Sequence, residues 1–219
     1  GQVLFVFPIP IIFALLVNEV RSKKGQRLIQ NISYLPHFVS VVVVASMVTT
    51  FLAKDGIINK IIAMLGGSGH LFMQDPKWFR PVYWISNLWQ EMGWSAIIYS
   101  AALTNVDEQL YEAAVIDGAN RWQQTVHVTL PAIKPTISIM LIMAIGNIMS
   151  VSFEKVLLLQ NALTYEVSDI ISTFVYRQGL SGGQYSYSTA VDMFSTVTNF
   201  VLILVANRVC KLLGETSLW

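Results

Sequence analysis

Charged residues are scarce in this chain. Asp, Glu, Lys and Arg make up 12% of its 219 residues, which is about half the fraction found in a typical soluble domain. Hydrophobic residues make up 54%, and the mean hydropathy is +0.55. This composition argues against a secreted module, a nucleic-acid-binding protein and an ordinary cytosolic enzyme. The formal net charge of +1 indicates no particular partner.

Cysteine is almost absent as well. The single Cys210 excludes an intramolecular disulfide framework and a cysteine-based zinc site. The histidines His37, His70 and His127 do not have the spacing of metal ligands, and the sequence contains no G-x-x-x-x-G-K-[ST] phosphate-binding loop. We therefore expect no catalytic residues, no metal site and no cofactor in this chain.

The sequence is rich in long apolar runs. A helix that crosses the hydrocarbon core, about 30 Å thick, needs roughly 20 mostly apolar residues. The sequence has one partial run at residues 1–17. Four complete runs follow it, at residues 32–53, 82–106, 135–153 and 185–209. The predicted fold class is all-α, a polytopic membrane helix bundle of about five spans. Because the chain opens with Gly1 inside an apolar run, we expect it to be part of a longer gene product.

The connectors between these runs predict an orientation. Arg21, Lys23, Lys24 and Arg27 lie in the first connector, and Lys and Arg in short loops favour the cytoplasm. Alternation then places residues 107–134 and the C-terminus inside, and residues 54–81 and 154–184 outside.

The inside segment, residues 105–134, is long for a connector and has a helical pattern. Asn105 or Asp107 can cap the start of a helix. Gly118 is the residue type that most easily takes the left-handed conformation that ends one. A shorter helical stretch follows at residues 121–129, and we expect Pro131 to stop it. A helix, a sharp turn and a second helix would suit a surface that another protein grips.

A motif lies within this segment. Glu112-Ala113-Ala114 is followed after three residues by Gly118 and, nine residues later, by Val128-Thr129-Leu130-Pro131. This string resembles the EAA loop of permease subunits of bacterial ABC importers, with Val128 in place of the usual Ile. Four more segments resemble the polysaccharide-type branch of carbohydrate permeases: YLPHF at 34–38, DPKWFRP at 75–81, YEVSD at 165–169 and GQYS at 183–186.

The resemblance implies the transmembrane domain of a type I importer, formed by residues 1–219, with residues 105–134 as its coupling segment. It also implies a multi-pass protein of the bacterial cytoplasmic (inner) membrane. The implied partners are a second permease, two ATP-binding subunits that hold ATP and Mg, an extracellular or periplasmic solute-binding protein, an oligosaccharide cargo and the lipid bilayer, with no nucleic acid. The implied ATPase-coupling residues are Glu112, Ala113, Ala114, Asp117, Gly118, Leu130 and Pro131.

Polar residues inside the predicted spans are candidates for the cargo path. Charged groups at membrane depth cost roughly 2.5 to 3.5 kcal/mol on insertion scales, so they usually face a bundle interior or a wet cavity. Trp and Tyr beside Asn and Glu suit the apolar faces and hydroxyl rims of a sugar. The candidates fall into three groups at helical spacing: Asn87, Glu91 and Trp94; Asp192 and Asn199; and Asn147 and Ser150. Packing within the bundle is the alternative for each group.

Other functions stay open at this point. The same architecture could import an amino acid, another small polar molecule or an anion. An anion path should present cationic residues, and the four complete spans contain no Lys or Arg before Arg208. An intramembrane hydrolase would need an acid, a base and a nucleophile facing one another, and the spans show no such set. A structural membrane subunit would make the spacing of the motif a coincidence.

Overall fold

Helices form all the regular secondary structure in the part of the chain that the computed structural model describes, residues 2–148 and 152–212. The predicted all-α class is therefore confirmed. In chain order the helices are α1 (Pro8–Asn18), α2 (Lys23–Tyr34), α3 (Val41–Phe51), α4 (Ile57–Met64), α5 (Pro76–Thr104), α6 (Glu108–Ile116), α7 (Arg121–Gln124), α8 (Leu130–Gly146), α9 (Phe153–Leu159), α10 (Tyr165–Ser168), α11 (Ile171–Val175) and α12 (Tyr185–Leu212). Short 3₁₀ or π-helical turns adjoin them at Gln2–Val6, Leu35–Phe38, Thr125–Thr129 and Tyr176–Ser181.

The chain divides into two compact units. Unit 1 comprises Gly1–His37, Glu91–Gly146 and Phe200–Trp219, and unit 2 comprises Phe38–Gln90 and Asn147–Asn199. Their boundaries fall inside α5 and α12, so each of these helices supplies residues to both units. The assignment of residues 1–219 to one domain stays a prediction.

The core of unit 1 joins α1, α5 and α8. Its buried residues are Ile11, Ala14, Ala96, Tyr99, Leu103 and Ile133. Small residues let helix backbones approach closely in membrane proteins, and Gly93 on α5 is the clearest case here. A Cβ at Gly93 would lie 2.0 Å from the carbonyl oxygen of Ser33. Any larger residue at this position would therefore push α2 and α5 apart.

The core of unit 2 joins α3, α5 and α9, through Ala45, Phe79, Tyr83, Val156 and Leu159. The loop between α4 and α5 is held by one buried side chain. The Asn59 amide donates to the carbonyl oxygens of Ala53 (2.8 Å) and His70 (2.9 Å) and accepts from the backbone N–H of His70 (2.7 Å). These bonds satisfy the polar groups of a buried amide and fix the predicted outside loop.

The expectation that residues 32–53 form one continuous helix is wrong. Helix α2 tightens into the 3₁₀ turn Leu35–Phe38, and α3 begins only at Val41. Pro36 lies inside that 3₁₀ turn and has no N–H to donate to the preceding helical turn, and the chain bends by 96° between Lys23–Phe38 and Val41–Phe51. The carbonyl oxygen of Val39, which the break leaves outside any helix, accepts a hydrogen bond from the buried side chain of Gln90 (2.9 Å).

Within the part of the chain that the structure describes, length and composition alone identify fewer spanning helices than the five predicted. Among the described residues, Arg121–Gly146 and Tyr185–Leu212 are long and apolar enough to cross a membrane, and Lys23–Phe38 with Val41–Phe51 adds a third if the broken pair is one span. Helix Val3–Asn18 is apolar but shorter. Helix α5 has 29 residues, yet Asn87, Gln90 and Glu91 lower its hydropathy. The last predicted span, residues 185–209, agrees with α12.

Candidate functional site

The coupling segment begins with the predicted cap. Asp107 is the N-cap of α6, and its side chain accepts a hydrogen bond from the backbone N–H of Gln109 (2.9 Å). Glu108 in the first turn places a carboxylate near the positive end of the helix dipole. Asn105, the other candidate, instead donates from its side chain to the carbonyl oxygen of Ala101 (3.2 Å) at the end of α5. Of the two candidates, Asp107 caps α6.

Gly118 makes the turn that ends α6, with a φ of +77°. The backbone N–H of Ala119 donates to Ala114 (2.9 Å) and that of Gly118 to Val115 (3.0 Å), which is the Schellman pattern. A Cβ at Gly118 would meet no described atom within 4 Å. Glycine is therefore favoured at this position by backbone conformation rather than by lack of space.

The second helix of the coupling segment, α7, begins at Arg121, directly after the turn at Gly118. It does not end at Pro131. Asn120 and Gln123 form a capping box at the start of α7, and the helix continues through Pro131 and Pro135 as Arg121–Gly146. The expectation that Pro131 ends it is wrong. A π-helical turn at Thr125–Thr129 precedes the proline, and a wider turn accommodates a residue that lacks an N–H.

This continuity ties the coupling segment to a spanning helix. The hydroxyls of Thr125 and Thr129 donate to the carbonyl oxygens of Arg121 (3.0 Å) and Gln124 (3.4 Å), so side chains add hydrogen bonds to backbone carbonyls of the irregular turn. The hydroxyls of Tyr111 and Thr129 are 2.9 Å apart, which connects α6 to the same turn. Sequence reasoning missed this link, because it joins residues of two different helices.

Large apolar side chains are exposed on the coupling segment among polar and charged ones. The exposed fraction is 84% for Ile116 and 75% for Trp122. Glu112 is exposed beside them and has no hydrogen-bond or ion-pair partner among the described residues. Two shallow grooves flank α6. One is lined by Tyr111, Glu112, Val115, Ile116, Arg121 and Gln124, and the other by Leu110, Ala113, Ala114, Asp117, Gly118, Ala119, Gln123, His127 and Val128.

One exposed ion pair links the coupling segment to the residue after α1. Arg121 Nη1 lies 3.4 Å from Glu19 Oε2, and the two side chains are 74% and 47% exposed. Exposed pairs of this kind contribute about 0–1 kcal/mol. The pair therefore adds little to the stability of unit 1.

Two of the predicted path residues in unit 1 share one partner. His37 Nδ1 lies 3.0 Å from Glu91 Oε2, and the His37 imidazole stacks on the Trp94 indole with ring centroids 4.4 Å apart and an interplanar angle of 1°. All three side chains are partly exposed. His37 lies in the YLPHF segment, which sequence reasoning quoted for its resemblance without assigning this residue a role.

In unit 2, the predicted path residue Asn87 contacts a buried lysine. Lys155 Nζ lies 3.4 Å from Asn87 Oδ1, and Lys155 is 1% exposed. Sequence reasoning missed this residue, because it follows the predicted end of a span by two positions and was assigned to the outside loop. The helical spacing from Lys155 to the apolar Leu159 was the available signal.

The remaining described path residues lie on α12 and in the turn after α8. Asp192 is exposed on α12, while Ser188 and Ser195, four residues before it and three after it, are buried. Asn199 is half-buried and Asn147 is exposed in the turn after α8. Ser150 lies outside the described residues. A role of these residues in a cargo path stays a prediction.

Comparison with known proteins gives one family. Residues 7–214 match the family described as "Binding-protein-dependent transport system inner membrane component". The polygalacturonan/rhamnogalacturonan transport system permease protein YteP of Bacillus subtilis (strain 168) is 47% identical over 214 residues. These residues cover 97% of this chain and 67% of YteP.

Two solved structures are similar over nearly the whole chain. One is a bacterial ABC transporter involved in the import of the acidic polysaccharide alginate, with a TM-score of 0.94, 44% identity, and coverage of 96% of this chain and 74% of that one. The other is a bacterial alginate ABC transporter in complex with a periplasmic protein bound to an alginate pentasaccharide. Its TM-score is 0.97, with 43% identity and coverage of 99% of this chain and 76% of that one.

Proposed function

This chain belongs to the family of inner membrane components of binding-protein-dependent transport systems, and we propose that its cargo is an oligosaccharide derived from an acidic polysaccharide. The family confirms the predicted role: the chain is a membrane-bound permease subunit of an ABC importer for sugars rather than an enzyme. Its partners are a second permease, ATP-hydrolysing subunits and a solute-binding protein.

Relatives support the choice of an acidic cargo. YteP, at 47% identity, is named for polygalacturonan and rhamnogalacturonan, and the structural neighbour at 44% identity imports alginate. Galacturonate and the uronates of alginate all carry a carboxylate on the sugar ring. Their shared chemistry is a chain of pyranose rings with hydroxyl rims and regular negative charge. Cargo of this class needs a path that binds hydroxyls and tolerates anions.

The observation that carries the coupling role is the exposed helix, turn and helix of residues 107–131. Glu112, Ile116 and Trp122 present a carboxylate and apolar side chains that are exposed in the isolated chain. Exposed apolar groups gathered at one surface mark a contact with another protein. We place the ATPase subunits against this surface, and ATP and Mg on those subunits. The coupling residues are Glu112, Ala113, Ala114, Asp117, Gly118, Leu130 and Pro131.

The location follows from this assignment. The coupling segment faces the cytoplasm, where ATP is available, and the chain crosses the bacterial cytoplasmic membrane several times. The continuous helix Arg121–Gly146 carries motion of the coupling segment into the membrane as a rigid element. Such motion would move helix bundles as rigid bodies, one of the common forms of conformational switching.

Cargo contacts are assigned to the polar residues of the spans. Trp94 offers its indole ring for stacking on a sugar ring, and Glu91 accepts hydrogen bonds from sugar hydroxyls. Asn87 is a further residue assigned to cargo binding. The other proposed cargo-binding residues are assigned by their positions in the sequence alone: Asn147, Ser150, Asp192 and Asn199.

Uptake by the assembled importer tests the proposal. The chain would be reconstituted in proteoliposomes with its second permease, ATPase subunits and binding protein, and ATP-dependent uptake would be measured. We expect oligogalacturonates or alginate oligosaccharides to be taken up in preference to neutral galactose oligosaccharides of equal length. Preference for the neutral sugars would contradict the acidic cargo. An intact complex that hydrolyses ATP but moves no sugar would contradict the assignment of a sugar cargo.

A further inference from the structure

Helix α6 is connected to the spanning helix Arg121–Gly146 in two ways. The chain joins them through the turn at Gly118. The hydroxyls of Tyr111 and Thr129, 18 positions apart in the chain and 2.9 Å apart in space, join them a second time. Tyr111 lies about 10 Å along the helix axis from that turn. A helix held only at its last turn can pivot about it, and the second connection holds α6 at a point away from the pivot.

The contact between Tyr111 and Thr129, the hydroxyl link, belongs to a longer series of hydrogen bonds. The Thr129 hydroxyl donates to the carbonyl oxygen of Gln124 (3.4 Å). The Gln124 side chain donates to the carbonyl oxygen of Ala119 (2.9 Å), and the backbone N–H of Ala119 donates to Ala114 of α6 (2.9 Å). The series therefore leads from α6 through the π-helical turn and the turn at residues 117–119 back to α6.

The direction of the hydroxyl link follows from the number of protons. A threonine hydroxyl has one proton, and Thr129 donates it to Gln124. Tyr111 therefore donates to Thr129. Hydrogen bonds in series polarise and strengthen one another, so the loss of either hydroxyl weakens the connection as a whole.

Filling space at these two positions needs neither hydroxyl, because phenylalanine and valine have nearly the same shapes. Thr129 is 5% exposed, so its hydroxyl depends on partners within the protein. It ends a π-helical turn, a feature that is frequent at functional sites. Tyr111 lines the groove that contains Glu112, so the link lies beside the surface that we assign to the ATPase subunits.

We propose that Tyr111 and Thr129 are positioning residues for ATP-driven transport, because their hydrogen bond makes the spanning helix follow α6 when the ATPase subunits move it. With the link in place, α6 cannot pivot about Gly118 without breaking the series of bonds. Without it, the ATPase subunits still bind α6 and hydrolyse ATP, but part of their motion is lost at the turn. The inference rests on the proposed function, since it requires that the ATPase subunits contact α6.

The test measures how many sugars are moved for each ATP hydrolysed. Wild-type, Tyr111→Phe and Thr129→Val importers would be reconstituted in proteoliposomes with oligogalacturonate as the cargo. We expect the ratio of sugar to ATP to fall by about two- to tenfold in each variant, the change that one neutral hydrogen bond accounts for. Recovery of the ATPase subunits by copurification should match the wild type.

Further variants show whether the two hydroxyls act together. Thr129→Ser keeps a hydroxyl and should keep the wild-type ratio. The double variant Tyr111→Phe/Thr129→Val should lower the ratio no further than either single variant, because both act through one bond.

Thr104→Val is the matched control. Thr104 is an exposed residue of the same unit, and its hydroxyl donates to the carbonyl oxygen of Ala101 within its own helix (2.8 Å). The substitution removes a hydroxyl and a hydrogen bond but no connection between helices, so it should leave the ratio unchanged.

Three results would overturn the inference. One is a wild-type ratio in Tyr111→Phe. Another is a loss of ATPase recovery in parallel with the loss of transport, which would assign the hydroxyls to the structure of the segment. The third is an additive loss in the double variant, which would mean two separate roles. If Thr129→Val does not assemble, Tyr111→Phe decides, because it removes only one hydroxyl of a half-buried side chain. A wild-type importer that hydrolyses ATP but moves no oligogalacturonate would instead contradict the proposed function itself.

Discussion

The coupling segment and the candidate cargo residues are organised in opposite ways. In the coupling segment, the bonds that shape the turn join residues two to five positions apart, such as Asp107 to Gln109 and Ala119 to Ala114. The cargo candidates pair over much longer separations, with 54 positions between His37 and Glu91 and 68 between Asn87 and Lys155. Local chemistry can be read from a sequence, whereas distant pairing has to be seen in a structure.

The two regions also differ in what they leave for a partner. The coupling segment presents Glu112, Ile116 and Trp122 at the surface. Glu91, Trp94 and Asn87 already have partners within their own units. We therefore expect substitutions in the coupling segment to change assembly with the ATPase, and substitutions among the cargo residues to change the choice of sugar.

The largest effect should come from Glu112→Ala. If a cation of the ATPase subunit binds this carboxylate in a desolvated contact, losing one partner costs about 2–5 kcal/mol. Transport should then fall far more than membrane insertion. The measurement is uptake normalised to the inserted permease, with Glu108→Ala, an exposed carboxylate of the same helix, as the control. A change within about 0.5 kcal/mol of zero would show that Glu112 stays solvated in the complex.

Gly118→Val should have the next largest effect. A β-branched residue in the left-handed region costs about 1–2 kcal/mol, and no described atom near Gly118 would add a clash. Recovery of the ATPase by copurification should fall by about tenfold. Gly118→Asn should be milder, because Asn tolerates the left-handed conformation.

A second glycine provides the matched control for this substitution. Gly66 after α4 has a φ of +84° and equally open surroundings among the described residues, but it lies in unit 2. Gly66→Val imposes the same backbone strain away from the coupling segment, so it should leave ATPase recovery unchanged. Equal losses for Gly66→Val and Gly118→Val would mean that strain anywhere weakens the complex.

Much of the fold could be predicted because its causes are local. The length of the apolar runs indicated helices, and the cap at Asp107 and the turn at Gly118 followed from the residue types. The two prolines were the exceptions. Pro36 lies in a 3₁₀ turn just before a break inside a predicted span, whereas Pro131 continues an α-helix that follows a π-helical turn. Whether a proline breaks a helix depends on how the neighbouring turns rearrange, which composition does not show.

The candidate cargo site could be predicted only in part. Helical spacing within an apolar run identified Asn87, Glu91 and Trp94 as candidates. The partners His37 and Lys155 lie outside that run, and each is placed by the tertiary packing of another helix. A pattern within one helix contains no information on which distant residue faces it.

Trp94→Ala should have a smaller effect that depends on the cargo. A stacked aromatic pair contributes about 0.5–1.5 kcal/mol beyond its buried area, so each uptake rate should change by up to about tenfold. Sugars of different length or linkage should change rank, because a stacking surface discriminates among them. The measurement is uptake of a set of related oligosaccharides, normalised to assembled complex.

His37→Phe separates cargo binding from packing at this site. Phenylalanine can keep the stack on Trp94 but cannot bond to Glu91, so we expect altered binding of sugar hydroxyls with the stacking preference kept. Glu91→Gln should behave similarly if Glu91 acts on hydroxyls. Uniform losses in all three variants that follow a lower complex stability would assign the cluster to packing.

The smallest effect should come from the ion pair between Glu19 and Arg121. Its atoms are 3.4 Å apart and both side chains are largely exposed, so Glu19→Ala should change the stability of the complex by no more than about 1 kcal/mol. The melting temperature of the purified complex at low and high salt measures this.

Arg121 also lines the groove that contains Glu112. Any loss of ATPase recovery in Arg121→Ala beyond that in Glu19→Ala therefore reports a contact with the ATPase. A large effect of Glu19→Ala would mean that the coupling segment depends on a residue 102 positions away, and the contrast between a locally determined coupling segment and long-range cargo contacts would no longer hold.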